Sequence, residues 1–210
     1  MTNRRHALIA LSALGALPVL VTPFAAQAAA VTGQAAPDFT LPGADGKPLS
    51  LNSLRGKTVV LEWTNHDCPY VRKHYSGGNM QGLQKDAAAQ GVVWLQVISS
   101  APGSQGHVDG AAAMKLNVDR QARPAGTLLD PEGRVGRLYG AKTTPHVYIV
   151  NAQGLLVYAG GIDSIASSRV DDIAKAEPYV RNALAEVAAG KPVSKASTRP
   201  YGCSIKYADA

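Results

Sequence analysis

The sequence Thr58-Val59-Val60-Leu61-Glu62-Trp63-Thr64 is followed, four residues later, by Cys68-Pro69. The first segment is mostly apolar or β-branched, which is typical of a strand buried at the centre of a sheet. Proline is favoured at the first position of a helix, because the N–H group that it lacks would have no partner there. We therefore expect Cys68 to lie at the junction between a central strand and a helix.

The segments on either side extend this pattern to a complete sheet. Residues 70–90 can form a helix interrupted at Gly77-Gly78, with Asn79 capping its second half, and the apolar segment 92–98 predicts a second buried strand. Strand, helix and strand make a βαβ unit. The elements expected after it are a helix at 108–116, a strand at 126–130, a short helix at 134–139, a hairpin of strands at 146–150 and 155–159, and an amphipathic helix at 170–189 that Pro178 kinks or splits. This order predicts an α/β fold with a mixed central sheet flanked by helices.

The first 28 residues have the organisation of a secretory signal peptide. Arg4 and Arg5 form a basic start, residues 7–20 are apolar, and Ala26-Gln27-Ala28 provides an A-x-A cleavage site. The two arginines resemble a twin-arginine export signal, but Ala7 stands where that signal usually carries phenylalanine, so the general secretory route is the alternative. The apolar stretch is short for a membrane span, and an uncleaved anchor is the competing interpretation. We expect a periplasmic or otherwise exported protein without stable membrane insertion.

The rest of the chain has an ordinary globular composition. Hydrophobic residues make up 46% and charged residues 17% of the 210 residues, and the net charge is +6. Arg4 and Arg5 are the only charged residues of the leader, so its removal changes 21 basic and 15 acidic residues to 19 and 15, a net charge of +4. This mild charge, without a run of five basic residues, does not indicate nucleic-acid binding. We expect a single domain at 29–192 and a flexible C-terminal tail at 193–210.

Cys68 is the side chain most suited to chemistry. As the residue that caps the helix beginning at Pro69, it faces the unpaired N–H groups of the first turn and the positive end of the helix dipole. Both favour the thiolate, so we expect a pKa below that of an ordinary cysteine. Arg72 and Lys73, one turn further on, add positive potential. The alternative interpretation is a buried, inert cysteine at a strand end.

Three landmarks together resemble the alkyl hydroperoxide reductase/thiol-specific antioxidant (redoxin) family of the thioredoxin superfamily. They are the opening Ala36-Pro37-Asp38-Phe39-Thr40-Leu41, the strand leading to Cys68-Pro69, and Thr143-Thr144-Pro145 before a further strand. The resemblance implies a thioredoxin fold with Cys68 as the nucleophile. It also implies a cis peptide bond before Pro145, close to Cys68, and a backbone at Thr144 that is presented to bound substrate. An ordinary trans proline is the alternative.

Some positions depart from the patterns of the related families. Thioredoxins carry a second cysteine three residues after the first, whereas this chain has Val71 there. Typical peroxiredoxins carry proline and threonine seven and three residues before the reactive cysteine, whereas this chain has Leu61 and Asn65. The sequence therefore excludes a local dithiol and does not establish a peroxide-activating pocket.

Cys203 is the only other cysteine in the sequence. It lies in Arg199-Pro200-Tyr201-Gly202-Cys203-Ser204, beyond the last predicted helix, in a tail long enough to reach Cys68. One interpretation is a resolving thiol that attacks a sulfenic acid or a mixed disulfide at Cys68. The other is a permanent Cys68–Cys203 bridge with a structural role.

A metal-binding or partner-binding module is the competing function. His66, Cys68 and His146 could converge in the predicted fold, and copper or zinc accepts such ligands. Their spacing matches no common zinc pattern. We therefore predict no metal and no other cofactor.

The function that we favour is that of a thiol-dependent oxidoreductase. Cys68 attacks a peroxide or a protein disulfide, and Cys203 resolves the product. The supporting residues are expected to be Pro69, Arg72, Thr144 and Pro145. Peroxidase-like chemistry is slightly favoured over disulfide reduction, because a distant resolving cysteine suits it. The sequence does not name the substrate, the thiol reductant or the oligomeric state.

Overall fold

The computed structural model describes residues 29–208. The predicted signal peptide, residues 1–28, lies outside this span. Within it, no helix combines the length and the apolar content that crossing a membrane requires.

The strands of the central sheet and the helices between them follow the order that the sequence predicts, whereas the short strands at Thr143–Thr144 and Cys203–Ser204 are not among the expected elements. The strands are β1 (Thr40–Pro42), β2 (Pro48–Ser50), β3 (Val59–Trp63), β4 (Val93–Ile98), β5 (Gly126–Leu129), β6 (Thr143–Thr144), β7 (His146–Val150), β8 (Leu156–Gly160) and β9 (Cys203–Ser204). The helices are α1 (Pro69–Ser76), α2 (Asn79–Ala89), α3 (Gly110–Asp119), α4 (Arg134–Leu138) and α5 (Tyr179–Ala188), with 3-10 helices at Leu51–Leu54 and Val170–Lys175.

The central sheet has the strand order β5-β4-β3-β7-β8. β3 pairs in parallel with β4, and β4 with β5, whereas the β3–β7 and β7–β8 pairs are antiparallel. This is the mixed sheet that the sequence predicts. In the β3–β7 register Trp63 lies opposite His146, so the carboxyl end of β3 meets the amino end of β7. The residues that follow Trp63 and those that precede His146 are thereby brought together.

Alternate residues of β3 face two different apolar layers. Val59, Leu61 and Trp63 pack into the first layer, whereas Val60 packs into the second, which also contains residues of α1, α2 and α5. These four side chains are all buried. A strand that is covered on both faces has an almost continuous run of apolar residues in its sequence. This is why the sequence predicts β3 clearly.

Glu62 is the one charged side chain of β3, and it is fully buried. Its carboxylate accepts hydrogen bonds from Tyr75 Oη and Trp94 Nε1, each at 2.8 Å. Tyr75 Oη in turn accepts from Gln96 Nε2 at 2.7 Å. Burial raises the pKa of Glu62 above its usual 4.5, against the opposing effect of the hydrogen bonds from Trp94 and Tyr75. A buried carboxyl with these donors belongs to the packing of the sheet against α1.

Two details of the helices differ from the sequence expectations. The cap of α2 is Gly78, which has a φ of 68°, and not Asn79. The Asn79 amide instead lies 2.9 Å from His74 Nδ1. Residues 170–189 do not form one helix, because α5 begins only after Pro178, following the separate 3-10 helix. Proline has therefore split the helical segment rather than kinked it.

The C-terminal segment packs against the domain, so the expectation of a flexible tail is wrong as far as residue 208. β9 pairs with β6, and the Ala159 N–H donates to Ala196 O at 3.0 Å. The Tyr207 hydroxyl donates to Ala141 O at 2.8 Å, and Ile205 is buried in the first apolar layer. These hydrogen bonds and contacts hold in place a segment in which polar and apolar residues alternate irregularly.

Candidate active site at the Cys68 thiol

Cys68 lies at the junction of β3 and α1, as the sequence predicts. It is the N-cap residue of α1, with φ −73° and ψ 122°, and Pro69 occupies the start of the helix. The Cys68 N–H donates to Asn65 O at 3.1 Å, and its carbonyl accepts from the Arg72 N–H at 2.9 Å. The side chain is fully buried. The preceding loop and the first helical turn therefore fix the position of the sulfur.

The peptide bond between Thr144 and Pro145 is cis, as the family resemblance implies. Pro145 precedes His146, so it lies at the end of the sheet where the chain leaves β3 towards Cys68. The Cys68 thiol donates to Thr144 O at 3.1 Å. The sulfur and the proline loop are therefore in direct contact.

The C-terminal strand brings the second thiol to the same place. Cys203 pairs with Thr144, and Ser204 with Thr143, in the antiparallel β6–β9 ladder. The Cys203 N–H donates to Cys68 Sγ at 3.4 Å, and both cysteines are free. Cys68 has an exposed fraction of 0%. The site is thus a pair of neighbouring thiols, of which the first is closed off from solvent.

The surroundings separate the pKa values of the two thiols. Burial raises the pKa of Cys68, but hydrogen bonds from the side chain and N–H of Cys203, from the Val71 N–H and from the Thr144 side chain outweigh it, so the pKa lies below the ordinary value. Burial and the adjacent Cys68 raise the pKa of Cys203 to about 11. The Cys203 side chain and N–H lower the pKa of Cys68 more than the Val71 N–H at the start of α1 does, so the Cys203 segment contributes more than the helix terminus. Cys68 is the thiol that ionises first.

The two basic residues of the first helical turn lie in different surroundings. Arg72 is exposed, and its guanidinium donates to Asp67 O at 3.1 Å. Its charge lowers the pKa of Cys203. Lys73 is fully buried, with Nζ 3.4 Å from Asp163 Oδ2. The positive potential that we expected Lys73 to add near Cys68 is therefore balanced by a carboxylate.

His66 and His146 are not brought together in a metal centre. Residues 29–208 contain no group of three or more His, Cys, Asp or Glu side chains that could hold a metal ion. His66 is partly exposed and lies 3.4 Å from Asp67. His146 is buried, with Nδ1 3.3 Å from Tyr148 Oη, and burial lowers its pKa to about 4. This arrangement does not support binding of copper or zinc at the thiol.

The two positions that depart from the peroxiredoxin pattern have structural roles. Leu61 is fully buried in the first apolar layer. Asn65 Oδ1 accepts from the Asp67 N–H at 2.9 Å, and Asn65 Nδ2 donates to Gln105 O at 3.3 Å. The Asn65 amide is therefore engaged by the loop that carries Cys68.

Sequence reasoning missed a polar cluster behind the tail. It consists of Lys73, His74, Asp163 and Tyr201, whose polar atoms lie within hydrogen-bonding distance of one another. The one available signal was spacing, because residues two apart in an extended chain point to the same side. Tyr201 lies two residues before Cys203. If Cys203 reaches Cys68, the Tyr201 side chain is therefore expected to contact the domain close to it.

A fold of this kind, with its thiol pair against a cis-proline loop, belongs to the class of thioredoxin-like thiol oxidoreductases. The model of the AhpC/TSA family matches residues 32–159, which is more than half of the chain. The chain therefore belongs to the AhpC/TSA family, and the protein is a thiol-dependent oxidoreductase. No curated protein matches the chain.

Solved structures with the same fold cover most of the chain. A hypothetical protein from Sinorhizobium meliloti 1021 is 22% identical, with a TM-score of 0.72, over 88% of this chain and 98% of its own. An uncharacterized conserved protein from Geobacillus kaustophilus is 23% identical, also with a TM-score of 0.72, over 86% and 94%. A candidate thiol:disulfide interchange protein DsbE from Chlorobium tepidum is 27% identical, with a TM-score of 0.51, over 62% and 85%. These likenesses agree with the thioredoxin-like fold.

Proposed function

We propose that the protein is an exported thiol oxidoreductase in which Cys68 is the nucleophile and Cys203 is the resolving thiol. The observation that carries this proposal is the contact of the Cys203 N–H with Cys68 Sγ at 3.4 Å. A thiol already at this position needs no long-range movement to attack a modified Cys68. The order of the pKa values supports the same roles, because Cys68 ionises before Cys203.

A hydroperoxide would be reduced in two steps. The Cys68 thiolate attacks one peroxide oxygen, the O–O bond breaks, and the leaving alkoxide or hydroxide takes up a proton, so that Cys68 becomes a sulfenic acid. Cys203 attacks the sulfenic sulfur, the S–O bond breaks and water leaves, which forms the Cys68–Cys203 disulfide. A cellular dithiol then returns two electrons and two protons to the pair. Because Cys68 is a low-pKa thiol, it leaves readily from that disulfide.

The docked tail favours a small oxidant over a protein disulfide. The backbone of Thr144, which the family resemblance implies is presented to substrate, is already paired with Cys203. Cys68 is fully buried in this arrangement. A protein disulfide would have to displace the strand, whereas a hydroperoxide requires only a small opening beside the sulfur.

Reduction of protein disulfides is the second candidate. Leu61 and Asn65 replace the proline and threonine typical of peroxiredoxins, and both are committed to packing and loop contacts. The Chlorobium tepidum protein of similar fold is described as a thiol:disulfide interchange protein. In this reaction the Cys68 thiolate attacks the substrate disulfide, and Cys203 releases the mixed disulfide.

Stoichiometric oxidation distinguishes reduction of hydroperoxides from reduction of protein disulfides. Reduced protein is mixed with one equivalent of hydrogen peroxide or of an oxidised protein disulfide, and thiol loss is followed with peptide mapping. We expect peroxide to consume both thiols and to give the Cys68–Cys203 linkage. Cys68→Ser should abolish this reaction while sparing the fold, and Cys203→Ser should stop at the sulfenic acid or an intermolecular dimer. Faster oxidation by the protein disulfide would favour the second candidate. Oxidation by neither, together with tight copper or zinc binding, would replace both by a binding module.

Export is proposed from the leader sequence. The basic, apolar and A-x-A order of residues 1–28 predicts cleavage before Ala29. Intact-mass measurement of the protein from the exported fraction should give a chain that begins near Ala29. A soluble cytoplasmic pool that retains Met1 would contradict this part of the proposal.

A further inference from the structure

The hydroxyl of Tyr201 enters a buried polar site, which we call the Tyr201 socket and which consists of Lys73, His74 and Asp163. The side chains of Lys73 and His74 have exposed fractions of 0%, and that of Asp163 has 4%. Lys73 Nζ lies 3.3 Å from Tyr201 Oη, His74 Nε2 lies 3.1 Å from it, and Tyr201 Oη donates to Asp163 Oδ1. The socket therefore surrounds one phenol oxygen on three sides.

The hydrogen-bonding capacity of a phenol matches this socket. Asn79 Nδ2 lies 2.9 Å from His74 Nδ1, so an amide N–H donates to that nitrogen and the proton of the neutral ring is on Nε2. Burial lowers the pKa of His74 to about 4, which keeps the ring neutral. Tyr201 Oη then accepts from His74 and from Lys73 and donates to Asp163, which uses the one donor and both acceptor positions of the hydroxyl.

Burial makes this contact stronger than an ordinary tyrosine hydrogen bond. A hydrogen bond to a charged partner contributes more than a neutral one, and a buried charged group that loses a partner is costly. Lys73 has Ile165 O at 3.2 Å and Asp163 at 3.4 Å as other partners, so it keeps partners within the domain when Tyr201 leaves. The domain thus supplies a polar binding site for this part of its own tail.

The socket influences the position of Cys203 because Tyr201 and Cys203 are close neighbours in the tail. Tyr201 lies two residues before Cys203, and Gly202 between them passes so close to Thr144 that a Cβ there would lie 2.7 Å from its carbonyl carbon. A chain fixed at Tyr201 and pressed against Thr144 has little freedom to shift its register. Cys203 is then held where its N–H meets Cys68 Sγ.

We infer that Tyr201 is a positioning residue for the resolving thiol: its binding in the socket sets the effective concentration of Cys203 at Cys68. This inference rests on the proposed function. The perturbation that tests it is Tyr201→Phe, which removes only the hydroxyl. The matched control is Tyr207→Phe, in the same tail, whose hydroxyl donates to a neutral backbone carbonyl, Ala141 O, at 2.8 Å.

The measurement is the dithiol–disulfide equilibrium of the Cys68–Cys203 pair in glutathione redox buffers, which yields the effective concentration. Tyr201→Phe should lower it by about thirtyfold, because bonds to charged partners are lost, and Tyr207→Phe by less than about fivefold. Denaturant midpoints of both variants separate this effect from a general loss of stability. Equal losses in the two variants, or no loss in Tyr201→Phe, would overturn the inference.

A second measurement keeps the inference separate from the proposed function. In a Cys203→Ser background the rate of alkylation of Cys68 reports the opening of the tail alone. Tyr201→Phe should increase this rate by about thirtyfold and Tyr207→Phe by less than about fivefold. If the wild-type protein forms no Cys68–Cys203 disulfide but this difference is seen, the resolving role is wrong and tail docking by Tyr201 stands. If the two variants alkylate alike, tail docking by Tyr201 is wrong.

Discussion

Replacement of Gly202 by alanine should release the C-terminal strand from the thiol site. Gly202 has a φ of 140°, which residues with side chains rarely adopt. A Cβ at this position would overlap the Thr144 carbonyl oxygen and lie 2.7 Å from its carbon. Both atoms belong to the backbone next to Pro145, so neither can turn aside as a flexible side chain would.

The size of the effect follows from these two contributions. An L residue held in such a conformation costs about 1–3 kcal/mol. The overlap of the added Cβ with the Thr144 carbonyl adds at least about 1 kcal/mol, the lower end of the cost of inserting a carbon atom into a well-packed region. A total of about 2–4 kcal/mol against the docked state shifts the docking equilibrium by about thirtyfold to several hundredfold, because 1.4 kcal/mol is a factor of ten.

Alkylation of Cys68 measures this shift, since Cys68 is fully buried when the strand is docked. Gly190→Ala is the matched control. Gly190 also has a positive φ, of 67°, at the start of the C-terminal segment, but a Cβ there would meet nothing within 4 Å. We expect Gly202→Ala to accelerate alkylation by at least about thirtyfold and Gly190→Ala to leave it nearly unchanged.

The refuting result is equally specific. If Gly202→Ala protects Cys68 as well as the wild type does, the strand either tolerates the side chain or does not close the site. If Gly190→Ala exposes Cys68 to the same extent, the effect reports general loosening of the C-terminal segment. Either outcome would remove the basis for a closed thiol site.

Two further predictions concern the titration of buried groups. Cys203→Ala should raise the pKa of Cys68, because the Cys203 side chain is the largest of the hydrogen-bond contributions that lower it against burial; the pH dependence of Cys68 alkylation measures this, and an unchanged midpoint would contradict it. Burial raises the pKa of Glu62 above 4.5, so the folded state retains a proton that the unfolded state releases. The contribution of Glu62 to the free energy of unfolding is therefore fully present below about pH 4.5. It is lost as the pH rises through the raised pKa of Glu62 in the folded state. Glu62→Gln should flatten this decline in denaturant titrations, and an unaltered pH profile would show that Glu62 does not cause it.

The part of the site built from local sequence could be predicted. A buried strand, a cysteine and a helix-starting proline follow one another directly in the chain, so the position of Cys68 depends on few long-range contacts. The order of the βαβ unit and of the hairpin then determines which strand ends meet. Pro145 falls against Cys68 because β7 begins where β3 ends, with Trp63 opposite His146.

The docking of the tail could not be predicted in the same way. Its segment contains Pro200, Gly202 and several Ser and Lys residues and has no continuous apolar run, features that are also typical of mobile tails. What holds it are contacts with residues distant in sequence, such as Tyr201 with Asp163 and Tyr207 with Ala141. For the same reason the sequence predicts positive potential from Lys73 near Cys68, although the carboxylate that balances this charge belongs to Asp163, 90 residues further on.

The docked tail supplies the second thiol, which α1 lacks. Val71, at the position of the second cysteine in thioredoxins, is buried in the second apolar layer, and the second thiol arrives from β9 instead. A thiol pair formed in this way is closed until the strand moves, so opening should limit the attack of an external reagent on Cys68. Undocking should therefore accelerate external alkylation and slow the formation of the Cys68–Cys203 disulfide. Both effects in Gly202→Ala, with a denaturant midpoint close to that of Gly190→Ala, would distinguish strand release from general loss of stability, because general unfolding would expose Cys68 and separate it from Cys203 only together with a lowered midpoint.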